Sequence, residues 1–122
     1  MFTRSSLIAF AALTGGFFGL PAHAADPQHD AVLQRGEHIA RLVCSACHVV
    51  AADQEFPPLL RPPAPSFEEI ANRPDTTAAS VRRFVMETHW DMKTLPATMP
   101  SQMLSKTEAT AAARYLLSLR RH

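Results

Sequence analysis

Apolar residues recur at helical spacing in four stretches of the chain, and no stretch alternates with the period of two that marks a half-buried strand. The pattern predicts an all-α domain. The first helix is expected over about residues 30–43, with Leu33, Gly36, Ala40 and Val43 on one face and its last turn running into Cys44. A short second helix is expected over about 67–72. Ser66 and Glu69 supply a capping box at its start and Pro74 ends it. The third is expected over about 76–88, with Ala78, Val81, Phe84 and Val85 turned inward. The fourth is expected over about 106–120. It opens on the Ser105/Glu108 box, carries Ala109, Ala112, Ala113, Leu116 and Leu117 on its apolar face, and ends on Arg120 and Arg121, where the helix dipole favours positive charge.

The first 24 residues follow a different pattern. Arg4 precedes an apolar run from Leu7 to Leu20, and Ala22-His23-Ala24 supplies a small-x-small site. This layout is that of a secretory signal peptide cleaved after Ala24. The run is too short for the roughly 20 residues of a spanning helix, and Gly15, Gly16 and Gly19 dilute it. The expected organisation is therefore a signal peptide over residues 1–24 and one domain over residues 25–122. The domain would be exported to the periplasm, with no membrane span in the mature chain.

Cleavage changes the balance of charge and of core residues. Lys plus Arg falls from 12 to 11 with the loss of Arg4, matching the 11 Asp plus Glu, so the mature chain is near neutral. Nothing in that balance suggests nucleic acid or an anionic membrane as a partner. Phe2, Phe10, Phe17 and Phe18 leave too, and only Phe56, Phe67, Phe84, Trp90 and Tyr115 remain as aromatics. A lean aromatic core in a domain of this size leaves room for a large apolar cofactor. Between the first two helices, Pro57, Pro58, Pro62, Pro63 and Pro65 stiffen an extended loop suited to wrapping a cofactor edge.

Residues 44–48 read CSACH. A structural zinc site needs four ligands, and the chain has no third cysteine and no histidine at finger-like spacing. A thioredoxin-like pair sits in a βαβ unit, and no strand is visible. A plain disulfide would not require the histidine. Cys44 and Cys47, three apart, lie on one face of a helical turn, so both thiols could form thioethers with the two vinyl groups of a haem. His48 would then be the proximal iron ligand; Cys-x-x-Cys-His is the signature of covalent haem attachment.

On these residues the sequence resembles the class I c-type cytochromes over roughly residues 30–120. The resemblance implies a cytochrome c-like fold, about four helices packed around one covalently bound haem. Gly36, eight residues before Cys44, occupies a family position and should let the first helix cross the last one closely, near Tyr115 and Leu116. The candidates for the distal ligand are Met86, Met92, Met99, Met103 and His89. Met86 falls within the third helix, Met103 is expected to pack beside the start of the fourth, and His89 reads as a polar residue at a helix end. Met99 sits in a loop, held extended by Pro100, and the family carries a Met-Pro pair before its last helix. Met99 is the expected ligand. The resemblance also implies that His48 Nδ1–H donates to a proline carbonyl in a Pro-x-aromatic stretch, for which Pro65 is the match. The indole N–H of Trp90 needs a partner if buried, either a haem propionate or a group in the core.

His/Met ligation closes the iron to substrates and raises its potential, which implies an electron carrier rather than an enzyme. The expected function is a periplasmic monohaem c-type cytochrome that passes one electron between donor and acceptor proteins. The alternative is a dedicated haem c subunit of a periplasmic dehydrogenase complex, so the chain would be a monomer or such a subunit. A haem gas sensor or peroxidase would need an open sixth position. Arg82 and Arg83 read as a solvated face, and the lysines left, Lys93 and Lys106, form no ring that would steer acidic partners.

Overall fold

A computed structural model describes residues 26–87 and 99–121. Among them the regular elements are helical, in the order α1 (Pro27–Ile39), a π-helical turn (Ala40–Cys44), α2 (Phe67–Ala71), α3 (Ala78–Met86) and α4 (Lys106–Ser118). The expected signal peptide lies outside the described residues, as do His89, Trp90 and Met92. No helix among the described residues is long and apolar enough to cross a membrane.

Helix α1 begins earlier than its apolar pattern suggests. Asp26 accepts a hydrogen bond from Gln28 N at 3.0 Å, and Pro27 takes the first helical position, where its missing N–H costs nothing. The capping boxes at Ser66/Glu69 and Ser105/Glu108 are both formed. A third, at the start of α3, pairs Thr77 with Ser80 in place of the usual Glu or Gln, and starts the helix two residues later than expected.

The terminal helices cross at Gly36. A Cβ there would lie 2.1 Å from Ala111 O and 2.7 Å from Tyr115 Cβ, so the crossing is closed to any side chain. At this crossing the nearest atoms belong to Ala111 and Tyr115. Around it the buried face of α4 is mostly small: Ala109, Ala111, Ala112 and Ala113 beside Tyr115 and Leu116. Val50 is the largest side chain that is fully buried. Small residues let the helices approach, but they leave little apolar mass between them.

One sequence expectation is corrected and another is extended. Met103 does not pack beside α4; it sits in a left-handed conformation (φ 53°) and is 92% exposed. The preceding turn, where Met103 N is bonded to Ser101 Oγ at 3.4 Å, carries it outward. Arg120 and Arg121 do more than complement the α4 dipole. Arg120 donates to Ala71 O at 2.7 Å and to Thr76 O at 2.6 Å, and Arg121 pairs with Glu68, so both bind α4 to the α2–α3 connection.

Candidate functional site

The CSACH segment hangs from the end of α1 through the widened π turn. Ser45 N reaches back to Ala40 O at 3.1 Å, and the Ser45 hydroxyl donates to Arg41 O at 2.6 Å. Cys47 N and His48 N then both donate to Cys44 O, at 3.1 and 2.9 Å, closing a turn that brings the two cysteines and the histidine to one side. A π turn shifts the phase of the side chains that follow it relative to a regular helix.

The far end of the segment is fixed as well. Val50 is buried, its N–H donates to Gln54 Oε1 at 2.9 Å, and its carbonyl accepts from the Tyr115 hydroxyl at 3.0 Å. Burial pushes the Tyr115 phenol above its ordinary range. Arg41 bridges Glu37 and Asp53, pinning the loop after His48 to α1; the hydrogen bond from Arg41 holds the Asp53 carboxyl below the usual range. These groups are solvent-exposed, so the bridge orders the loop with little net stabilisation.

The proline-rich loop folds against the same segment through its remaining backbone donors. Leu59 N and Leu60 N donate to Ala46 O at 2.8 and 3.2 Å, Ala64 N to Cys47 O at 2.9 Å, and Phe67 N to Val49 O at 2.9 Å. This places the Pro65 carbonyl 2.7 Å from His48 Nδ1. A carbonyl can only accept, so Nδ1 carries a proton, and in the neutral ring this tautomer leaves the lone pair on Nε2. The ring is also held edge-on by Phe67, with centroids 5.7 Å apart and planes at 61°.

Cys44, Cys47, His48, Pro65 and Met99 line one cavity of about 410 Å³. Val81, Phe84 and Val85 of α3 also face it, which is why that helix has no buried residue of its own. Of the methionines among the described residues, Met99 alone lines the cavity; Met86 and Met103 do not. The size is that of a cofactor pocket. The two cysteines are not joined to one another. Burial, with the neighbouring Cys47 adding to it, pushes the Cys44 thiol up to about 11, so it stays protonated at neutral pH. A thioredoxin-type pair has the reverse property, a lowered thiol pKa that makes an attacking thiolate.

The residues fit a haem. The cavity offers an apolar enclosure, two adjacent thiols, an imidazole with a free Nε2 and a thioether. Trp90 and His89 lie outside the described residues, so neither is placed relative to it. Three contributors escaped sequence reasoning in whole or in part. Phe67 was legible only as the aromatic of the Pro-x-aromatic stretch. Arg73 and Thr76, which also line the cavity, sit in a turn with no motif to mark them.

A family model described as Cytochrome c matches residues 33–120. The chain is 36% identical over 99 residues to cytochrome c-552 of Bradyrhizobium diazoefficiens, covering 81% of this chain and 80% of that protein. No solved structure matches significantly. With the helical fold and the CSACH-lined cavity, these matches show that the chain belongs to the cytochrome c family, as a class I c-type cytochrome whose cofactor is covalently bound haem c and whose role is electron transport.

Proposed function

We propose that the chain is an exported, periplasmic one-electron carrier with one haem, attached through Cys44 and Cys47 and ligated by His48 and Met99. One observation carries this reading: both cysteines, His48 and the distant Met99 line the same cavity. Haem bound there supplies an iron that changes charge by one. The chain's own residues do the rest. The cysteines tether the macrocycle. The Pro65 carbonyl orients His48 and makes its Nε2 more basic. The Met99 thioether, soft and neutral, favours ferrous iron and raises the potential. The apolar lining keeps water from the iron, which acts in the same direction.

With His48 and Met99 both serving as ligands, a haem iron held here would have no place for a substrate, which favours a carrier over a gas sensor or a peroxidase. The leader pattern of residues 1–24 supports export, and the intact mature chain should have a mass starting at Ala25. A dedicated subunit of a periplasmic dehydrogenase is the second reading. It draws support from Leu42, Phe56 and Leu59, which are 71%, 72% and 83% exposed. A single small peak for the native protein in gel filtration separates the carrier from the subunit.

Met99→Ala tests the ligand set. The oxidised variant should lose the thioether-to-iron charge-transfer band. Its midpoint potential should fall by about 59 mV for each tenfold loss of ferrous preference. An unchanged spectrum rejects Met99, and ready binding of carbon monoxide by the reduced wild type rejects His/Met ligation altogether.

A further inference from the structure

The polar groups that line the cavity are unequally engaged. The Ser80 hydroxyl bonds to Thr77 N and Thr77 O, and the Gln102 amide donates to Pro100 O. Thr76 is different. It is the buried polar residue of the described core, 8% exposed, and its hydroxyl has no hydrogen-bond partner among the described residues. Every fully enclosed side-chain nitrogen or oxygen among those residues has a partner. The Thr76 hydroxyl is therefore not fully enclosed, and Thr76 is a lining residue of the cavity. Arg73, three residues earlier and itself exposed, is the permanently charged side chain among the described lining residues. One edge of an otherwise apolar enclosure thus offers a cation and a free O–H donor, the pair an apolar ring bearing carboxylates needs if those carboxylates are not to lose water uncompensated.

The turn carrying both residues is fixed from outside the cavity. The Arg120 guanidinium spans it, donating to Ala71 O at its start and to Thr76 O at its end. Thr76 N donates to Arg73 O at 3.2 Å across the turn, and Asn72 Oδ1 accepts from Arg121 N at 3.1 Å. A planar fork of donors can hold two carbonyls at a set separation; an ammonium cannot.

We infer that Arg120 is a positioning residue for the haem: by clamping the 71–76 turn it holds the Thr76 hydroxyl and Arg73 where they receive a haem carboxylate. This inference rests on the haem assignment above. The other charged side chains near the turn are engaged or turned to solvent. Glu68 pairs with Arg121, Glu69 with its own cap at Ser66, and Asp75, Arg82 and Arg83 are exposed.

The consequence is a potential that depends on the turn. An ionised carboxylate near the iron favours ferric haem, and donors that disperse its charge oppose this. They also keep it ionised to lower pH. The test is a redox titration from acidic to mildly alkaline pH of four covalently loaded holoproteins: wild type, Thr76→Val, Arg120→Leu and Arg120→Lys. In mildly alkaline buffer Thr76→Val and Arg120→Leu should show lower potentials than wild type. On acidification their potentials should begin to rise at a higher pH than in wild type, with Arg120→Lys between. Wild-type curves for Thr76→Val and Arg120→Leu, with only a lowered melting temperature in the latter, overturn the inference. If Arg120→Leu does not fold, Arg120→Lys decides together with Thr76→Val, which is close in volume. Wild-type protein without covalent haem rejects the haem assignment itself, and is read from the spectrum before any variant is titrated.

Discussion

The imidazole of His48 is tied through Nδ1 to the carbonyl of Pro65 at 2.7 Å, across 17 residues of chain. The bond decides which ring nitrogen faces the cavity, and it adds electron density to the imidazole. Pro65→Gly keeps the carbonyl but frees the φ that the ring had fixed. With a looser acceptor the imidazole, as the proposed ligand, would donate less to a bound iron, and ferric haem would lose stabilisation. The midpoint potential should rise, by up to about 60 mV for a tenfold change in preference. An unchanged or lowered potential contradicts this role for the bond.

The cysteines give a sharper test. In Cys44→Ser or Cys47→Ser one thioether remains possible, so part of the haem should stay with the polypeptide on a denaturing gel. In the double variant none should. Because the Cys44 thiol is pushed up to about 11, Cys44 in the haem-free Cys47→Ser variant should also react slowly with thiol reagents at neutral pH, faster as the pH rises. Full haem retention by the double variant defeats the attachment scheme.

Gly36→Ala probes the helix crossing. The new methyl would meet Ala111 O at 2.1 Å, a backbone atom that cannot turn aside as a side chain can. Helices α1 and α4 must separate, at a cost of about 1–3 kcal/mol or more. Urea unfolding should show that loss as a lower midpoint. A midpoint at or above wild type means the crossing is looser than described.

Tyr115→Phe removes the hydroxyl that holds Val50 O and should cost about 1 kcal/mol at neutral pH. It should also change the alkaline limb of stability. The folded phenol titrates above its unfolded value because of burial, so the native state binds its proton more tightly. That contribution is complete below the unfolded value of about 10 and is lost as pH rises through the folded value. Wild-type stability should therefore decline above about pH 10, and Tyr115→Phe should decline less over the same range.

Much of the frame was legible because its determinants are local. The Ser66/Glu69 and Ser105/Glu108 boxes, CSACH, and the helical spacing of apolar residues each act within a few positions, and the four helices follow from them. Gly36 was legible through family resemblance, though the atoms it meets, on Ala111 and Tyr115, were visible only once α1 and α4 were docked. The start of α1 was missed, although Asp26-Pro27 is itself a local signal; the apolar pattern begins later and outweighed it. The π turn was missed for a different reason. It inserts one residue into a helix without any Gly or Pro to mark the place, and what it achieves is the direction of Cys44 in space. Arg120 could not be read at all as a clamp. Its acceptors, Ala71 O and Thr76 O, are backbone atoms 49 and 44 residues away, and any sequence would supply a carbonyl there.

The proline-rich loop has a consequence for how the site comes into being. Pro57, Pro58, Pro62, Pro63 and Pro65 have φ fixed by covalent structure, so the unfolded chain has less conformational entropy to lose in this stretch than in an ordinary loop. Of the four amides it retains, those on Leu59, Leu60 and Ala64 reach Ala46 O and Cys47 O. One wall of the pocket is thus stiff before the fold closes around it, and the thiols are presented against a surface that has little rearranging left to do.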